Sequence, residues 1–291
     1  TGVVRELEHE FRLVVVDHRG AGRSDRPTSG YSIGQISADV AGIVAQEGGP
    51  MHVVGHSTGG AIAQTLALDH PESGVSYTIS SSWARADERF RTVFRARAAL
   101  LDAGLAEAYQ RLTHVFGHES AYLELHAEQL ETAVAAANTA LAPFEVTAAR
   151  VRMLLDHDRL DDLRHIARNV QVIAAEGDIL TPPELSHIIA DAIGGGVLTT
   201  LAGAHFHPQA RPAQFADAIR RFVTGGGTAV LATDVGVFER SLLDAFDIHV
   251  AAPLGPGRYP VGGVTFADPP AHEIAIDRGV VFSFGAGRLP L

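Results

Sequence analysis

Residues 51–60 read MHVVGHSTGG, a short apolar run followed at once by a glycine-flanked serine. Ser57 stands between Gly55 and Gly59, in the G-x-S-x-G pattern of a nucleophile on a sharp strand-to-helix turn. Such a turn strains the serine backbone and brings neighbouring Cβ positions into conflict, and glycine removes those atoms. The pattern predicts that the Ser57 hydroxyl stands above a sheet edge, with the Thr58 N–H facing a developing oxyanion.

The segments around this motif alternate between strand and helix patterns. Continuous apolar runs typical of strands covered on both faces lie at 11–16, 51–54, 76–82, 170–175 and 196–201. Helical spacing of apolar residues occupies 32–46, 59–69, 185–193 and 212–223. This alternation predicts an α/β fold: a mostly parallel sheet with helices on both faces.

Two stretches depart from the alternation. Residues 84–168 are rich in Ala, Leu, Arg and Glu and carry no strand pattern, so they predict an inserted helical unit. Residues 224–291 follow a glycine-rich linker and form a C-terminal extension with weak strand-like patterning. The predicted division is therefore a core of 1–83 and 169–223, a helical cap at 84–168, and the extension.

The composition excludes several classes of function. The 291 residues contain 23 Lys and Arg against 34 Asp and Glu, a net charge of −11, which argues against nucleic-acid or anionic-membrane binding. There is no cysteine, which rules out thiol chemistry, disulfides and Cys-ligated zinc. No apolar run reaches the roughly 20 residues that span a bilayer. We expect a cytoplasmic protein that acts on a small molecule without a metal or cofactor; the sequence does not indicate its oligomeric state.

A serine nucleophile needs a base, and the base needs an orienting carboxylate, in the chain order Ser, acid, His for this motif. Asp178 follows the strand at 170–175 and His205 follows the next strand, so both fit the order and the active edge of the sheet. His207 competes with His205 as the base but lies two residues further from its strand. A His205-x-His207 metal site lacks supporting ligands.

Four motifs together resemble the α/β-hydrolase superfamily over residues 1–223. They are VDHRGAGRS at 16–24 with Pro27, the elbow at 55–60, Asp178 with Pro182, and His205 with Pro212. The stretches GHSTGGAIAQTLALDHP from Gly55 and SSSWARADERFRTVFRARAALL from Ser80 are similar to the branch that holds 3-oxoadipate enol-lactonase and the aminoacrylate hydrolase. In this family the helical insert is a cap that roofs the pocket.

The resemblance implies roles for individual residues. Ser57 would be the nucleophile, His205 the base and later the acid, Asp178 its orienter, and the Thr58 N–H one oxyanion donor. The residues predicted to line the substrate pocket are His56, Trp83 and Arg85. Local packing is the alternative for His56, and a core position at the cap hinge is an equal alternative for Trp83. The arginines that begin the cap either attract a substrate carboxylate or form a solvated helix face; they are Arg85, Arg89, Arg91, Arg95 and Arg97.

The sequence departs from the family before Thr1, where a strand and loop would supply the second oxyanion N–H. Three explanations remain open. The native N-terminus is truncated; or the chain is circularly permuted, with Val280–Gly287 as that strand and Thr224–Gly227 as a linker; or residues 228–291 begin a fused domain. The second donor therefore stays unassigned.

We expect a serine hydrolase that cleaves a small carboxylic ester or enol-lactone through an acyl-enzyme. The alternative within enzymes is C–N hydrolysis of an aminoacrylate- or carbamate-type substrate. The alternative of another class is a non-catalytic ligand-binding protein, or an impaired fragment, on the same fold.

Overall fold

A parallel sheet forms the centre of the protein. The structure, a computed structural model, describes residues 2–223, 227–233, 257–260 and 273–276. Within these ranges the sheet has six strands in the order β1-β6-β2-β3-β4-β5, all pairs parallel. The strands are β1 Phe11–Val15, β2 Met51–His56, β3 Gly74–Ser80, β4 Asn169–Ala175, β5 Val197–Leu201 and β6 Gly227–Thr233. A separate antiparallel pair joins β7 Gly257–Pro260 to β8 Glu273–Ile276.

Helices flank the sheet and fill the long excursion between β3 and β4. In chain order the α-helices are α1 Gly2–Leu7, α2 Ile33–Gln46, α3 Thr58–Asp69, α4 Glu88–Asp102, α5 Ala106–Gly117, α6 Ser120–Leu125, α7 Ala127–Ala140, α8 Phe144–Arg152, α9 Pro183–Ile193, α10 His207–Ala210 and α11 Pro212–Phe222. Three 3₁₀ turns lie at Pro71–Ser73, Met153–Asp156 and Leu160–His165. The α/β fold with helices around a parallel sheet confirms the prediction from sequence, and α4 to α8 occupy the predicted helical insert.

Local chemistry accounts for the main elements. The Ser32 side chain accepts a hydrogen bond of 3.1 Å from the Gln35 N–H and so caps the start of α2. Ile36, Val40 and Ile43 bury the apolar stripe of α2 in the hydrophobic core. The core strands are buried on nearly every position, as expected of strands covered on both faces. Strand β5 lies at the sheet edge and leaves Val197 exposed.

The C-terminal segment contributes a strand to the main sheet. Strand β6 lies between β1 and β2, and Val230 pairs with Val14 on one side and Val53 on the other. Its last residue, Thr233, pairs with His56, directly before Ser57. The segment at 227–233 therefore fills the place that the permutation hypothesis gave to 280–287, which lie outside the described residues. Because β6 joins the main sheet, at least this part of 228–291 does not belong to a separately folded unit.

A buried ion pair holds the loop after β1. Arg19 donates from Nε and Nη2 to the two carboxylate oxygens of Asp39 on α2, each at 2.6 Å. Both side chains are only 2% exposed. A guanidinium and a carboxylate that have lost their hydration are stabilised by pairing with each other. The two parallel hydrogen bonds satisfy donors of the one and both oxygens of the other. The pair therefore ties the loop at 17–24 to the helix behind it.

We predict that Asp39→Ala lowers the free energy of unfolding by about 3–5 kcal/mol, because it leaves the Arg19 guanidinium buried without its partner. Urea unfolding followed by circular dichroism measures the change. The matched control is Glu131→Ala, which removes one carboxylate from the solvent-exposed Arg111–Glu131 pair and should leave the midpoint unchanged. Equal effects of the two variants would contradict a special role for the buried pair.

Several histidines are buried in forms that resist protonation. Burial lowers the pKa of His118 and of His207 to about 3, and that of His114 and of His157 to about 4. Burial, with the neighbouring His205 and His207, also lowers the pKa of His56 well below its usual value. The unfolded chain therefore takes up protons at these positions before the folded chain does.

We predict that the protein loses stability as the pH falls below about 6.5, the ordinary histidine pKa. Between pH 7 and pH 5 each such histidine costs about 1–2 kcal/mol of unfolding free energy, because only the unfolded state gains the proton. Urea unfolding at a series of pH values measures the slope. His118→Gln should flatten that slope, whereas His165→Gln, at an exposed position, should not. If His118→Gln leaves the slope unaltered, the loss of stability at low pH does not come from the buried, neutral His118.

Candidate active site

The turn at Ser57 has the strained geometry that the glycine pattern predicts. Ser57 has φ 56° and ψ −119°, in the region that L residues rarely adopt. A Cβ on Gly55 would lie 2.1 Å from the Gly59 carbonyl oxygen, and one on Gly60 would lie 2.5 Å from the Ser82 Cβ. Only glycine fits at these two positions. Sequence analysis had assigned the close approach to Gly55 and Gly59; the structure assigns a second steric role to Gly60.

Three side chains from distant parts of the chain meet at the carboxyl edge of the sheet. Ser57 follows β2, Asp178 follows β4, and His205 follows β5. The His205 Nε2 lies 2.9 Å from the Ser57 Oγ, and the His205 Nδ1 lies 2.7 Å from the Asp178 Oδ2. All three are buried. The sequence-predicted residues are therefore brought together in hydrogen-bonding order.

A shell of donors orients the Asp178 carboxylate. Its Oδ1 accepts from the backbone N–H groups of Leu180 and Thr181 at 2.9 and 2.8 Å. The Thr181 hydroxyl lies 2.9 Å from the other oxygen and 3.1 Å from the His205 Nδ1. Thr181 was not among the site residues predicted from the sequence. Its position three residues after Asp178 is the signal that could have identified it, since an aspartate can accept from the N–H groups that follow it.

A second layer of histidines lies behind this arrangement. His207 places its Nε2 3.2 Å from the Ser80 Oγ and 3.3 Å from the Ser81 Oγ, so it contacts serines of β3 and its end rather than Ser57. The His56 Nδ1 lies 3.2 Å from the same Ser80 hydroxyl. Of the two histidines, it is therefore His205 that the structure places within hydrogen-bonding distance of Ser57. His56 is buried beside the two other imidazoles and is not among the pocket-lining residues, which agrees with local packing and not with the pocket position also predicted for it.

Two further predicted pocket residues also lie elsewhere. Trp83 is completely buried against Phe90 and His157, so it is the core aromatic of the alternative interpretation. Arg85 is 39% exposed and donates to Asp158 and Asp161, which hold it on the surface. Neither residue lines the pocket. An arginine flanked by surface carboxylates gains more from those partners and from water than from an apolar cleft, which is why this prediction is corrected.

A pocket of about 780 Å³, its open mouth included, lies over the Ser57 hydroxyl. The inserted helices supply much of its wall. The lining residues are Ser57, Thr58, Phe94, Arg97, Tyr109, Gln110, Thr113, Leu141, Ala142, Thr147, Arg150, Val151, Leu154, Leu180, His205 and Phe206. Of the five arginines at 85–97 that sequence analysis considered together, only Arg97 is in this wall. Arg150, which also lines the pocket, was not predicted from the sequence as a pocket residue.

Thr58 lines the pocket at the start of α3. Thr58 is the first residue of that helix, and its N–H is one of the four that find no acceptor within the helix itself. The positive end of the helix dipole lies there as well, so negative charge beside Ser57 is stabilised. Among the residues that the structure describes, no group of three or more His, Asp or Glu side chains is arranged to hold a metal ion.

Within the described ranges, no helix combines the length and apolar character needed to cross a bilayer. In these ranges the Ser57 hydroxyl and the His205 imidazole line a mixed apolar and cationic pocket, and the Asp178 carboxylate lies against the other side of the imidazole. In that order the imidazole can accept the serine proton while the carboxylate stabilises the resulting charge.

Comparisons with known proteins agree with this geometry. The family model of the alpha/beta hydrolase fold matches residues 1–207. A protein of Variovorax paradoxus (strain S110), whose name provisionally assigns it as the carbamate hydrolase RutD, is 32% identical over 252 residues and covers 85% of each chain. The enol-lactonase of Burkholderia xenovorans LB400 aligns with a TM-score of 0.65 at 22% identity, over 72% of this chain and 79% of that one.

A further solved structure, Est816, is described as an N-acyl homoserine lactone degrading enzyme. It is 28% identical, with a TM-score of 0.61, over 71% of this chain and 80% of its own. The resemblance stated from the motifs is thereby confirmed. Because the family model spans well over half of the sequence, this chain belongs to the α/β-hydrolase family.

Proposed function

We propose that this protein is a serine hydrolase that cleaves a small carboxylic ester or enol-lactone through an acyl-enzyme on Ser57. One observation carries the proposal. The His205 imidazole lies within hydrogen-bonding distance of the Ser57 Oγ on one side and of the Asp178 carboxylate on the other. This is the geometry in which a neutral hydroxyl becomes a nucleophile. The strained turn that presents the hydroxyl supports the same role.

The mechanism has two acyl-transfer steps. His205 takes the proton of Ser57 as its Oγ attacks the carbonyl carbon, and the oxyanion that forms accepts a hydrogen bond from the Thr58 N–H. His205 then gives that proton to the leaving oxygen, and the acyl group stays on Ser57. A water molecule repeats the cycle on the acyl-enzyme, with His205 again as base and then acid. Asp178, fixed by Thr181, keeps the imidazole in the tautomer that these proton transfers require.

Hydrolysis of a C–N bond in a carbamate-type substrate is the second candidate. The observation that favours it is the 32% identity to a protein named as a carbamate hydrolase over 85% of both chains. The same three residues serve this reaction, but an amine leaves only after it receives a proton. General-acid catalysis by His205 would therefore matter more than it does for an ester.

We predict that Ser57→Ala lowers kcat toward a small activated ester by several orders of magnitude, on the order of 10⁴–10⁶. His205→Gln should cause a loss of similar size, because the hydroxyl then lacks its base. The matched control is His207→Gln, two residues away, which does not contact Ser57 and should keep activity within about tenfold. Steady-state kinetics with 4-nitrophenyl acetate measures all three.

A fluorophosphonate probe tests the same assignment independently of turnover. It should label the parent protein at Ser57 and leave Ser57→Ala unlabelled. Turnover retained by Ser57→Ala would contradict covalent catalysis on this serine. An unlabelled and inactive parent protein would favour a non-catalytic ligand-binding role for the fold.

The two candidate substrates are separated with a matched pair that shares one acyl group. We predict a kcat/KM for an alkyl ester at least 100-fold above that for the amide of the same acid, because the ester oxygen leaves more readily than the amide nitrogen. Acid release in a pH-stat follows the ester, and a coupled ammonia assay follows the C–N substrate. The opposite ranking would make the carbamate-type reaction the function of the site.

A further inference from the structure

Arg97 places a buried cation in the wall of the candidate active-site pocket. It lies on α4 and is 6% exposed. Its guanidinium carbon lies 4.7 Å from the centre of the Tyr109 ring and 5.3 Å from that of Phe94, and its Nη2 donates to the Thr113 Oγ1 at 2.8 Å. All of these partners line the pocket together with Ser57. The charged group is therefore held at the pocket surface by residues that face the same space.

Within the part of the chain that the structure describes, no carboxylate neutralises this cation. Several other arginines contact Asp or Glu directly, as Arg85, Arg152 and Arg159 do. The partner of Arg97 is instead the Thr113 hydroxyl, which donates its own proton to the Tyr109 carbonyl. The Arg97 Nε is buried and has no hydrogen-bond partner. A buried charge in this state is stabilised when an anion enters beside it.

The rest of the described lining adds no negative charge. The described residues that line the pocket include no Asp or Glu. This contrasts with the whole chain, in which acidic residues outnumber basic ones by 34 to 23. A cleft with cations, low-dielectric walls and no acid concentrates anions from solution. Aliphatic side chains such as Leu141 and Leu154 line the space between, so the anion would be joined to an apolar body.

We propose that Arg97 binds a carboxylate of the substrate and thereby selects small acyl compounds that carry a free acid group. The inference rests on the proposed function, in which Ser57 attacks the carbonyl of the same molecule. The carboxylate accepts hydrogen bonds from Arg97, while the ester or lactone carbonyl lies over Ser57. Arg97 is in this view a specificity-determining residue: it holds one end of the substrate and takes no part in proton transfer.

The test compares two methyl esters that differ in charge. Monomethyl succinate carries a carboxylate where methyl 4-methylpentanoate carries an isopropyl group. We expect Arg97→Gln to lower kcat/KM for monomethyl succinate about 10- to 100-fold more than it lowers kcat/KM for the neutral ester, with the difference mainly in KM. Acid release in a pH-stat measures both. Equal losses on the two esters would overturn the proposal.

Arg95→Gln is the matched control. It removes the same charge from the same helix, two residues away, where the side chain is exposed to solvent and does not line the pocket. It should leave both esters unchanged. Arg97→Lys keeps the charge without the two-pronged donor and should retain an intermediate preference for monomethyl succinate. Thermal unfolding of each variant shows that the fold is intact, and Arg97→Lys carries the test if Arg97→Gln does not fold.

A binding measurement separates failure of this proposal from failure of the proposed function. Titration calorimetry of succinate into the Ser57→Ala variant needs no turnover. We expect binding that weakens at least tenfold when Arg97→Gln is added and stays the same when Arg95→Gln is added. Binding with this pattern in a protein that cleaves neither ester would uphold the carboxylate site and overturn the hydrolase function. Absence of binding, or binding indifferent to Arg97, would overturn the carboxylate site even in an active hydrolase.

Discussion

The strained backbone at Ser57 is the constraint from which the candidate site follows. Strand β2 must become helix α3 within one residue, and that residue takes a positive φ. Such a conformation costs about 1–3 kcal/mol and persists only where the surroundings determine it. Here the Ser57 N–H bonds to the Ser80 carbonyl at 2.8 Å, and the Ser57 carbonyl accepts from the Ser82 hydroxyl at 2.9 Å. Both partners come from β3 and the loop that follows it, so the neighbouring strand holds the turn in place.

The same sheet edge fixes the other two members of the candidate triad. The loops that carry Asp178 and His205 follow adjacent strands, and the Gly177 N–H donates to the Gly203 carbonyl at 2.8 Å. A backbone hydrogen bond thus joins the two loops independently of their side chains. The His205 imidazole then bridges the Asp178 carboxylate and the Ser57 hydroxyl across β3, the strand between β2 and β4. A parallel sheet with every strand ending at one edge makes this meeting possible.

Sequence reasoning succeeded where the signal is local. The glycines around Ser57 and the apolar strand runs each express a steric or packing rule that acts within a few residues. It failed where partners come from far along the chain. Nothing beside Arg85 in sequence shows that Asp158 holds it on the surface, 73 residues later. The position of β6 between β1 and β2 could not be predicted from the sequence either, because an apolar run of strand length does not indicate which strands it pairs with.

The inserted helices line the pocket and also hold the loop that carries His205, because a backbone hydrogen bond joins them to that loop. The Phe206 N–H, next to His205, donates to the Gly117 carbonyl at the end of α5 at 2.8 Å. A Cβ on Gly117 would lie 2.1 Å from the Phe206 ring, so the helix end and the loop are in close contact. Helix α5 also carries Thr113, which holds the Arg97 guanidinium. The distance between that cation and the Ser57 hydroxyl is therefore set by packing within one connected body. A substrate whose carboxylate and carbonyl match this spacing would meet both groups without any movement of the helices, and a shorter or longer one would have to give up one of the two contacts.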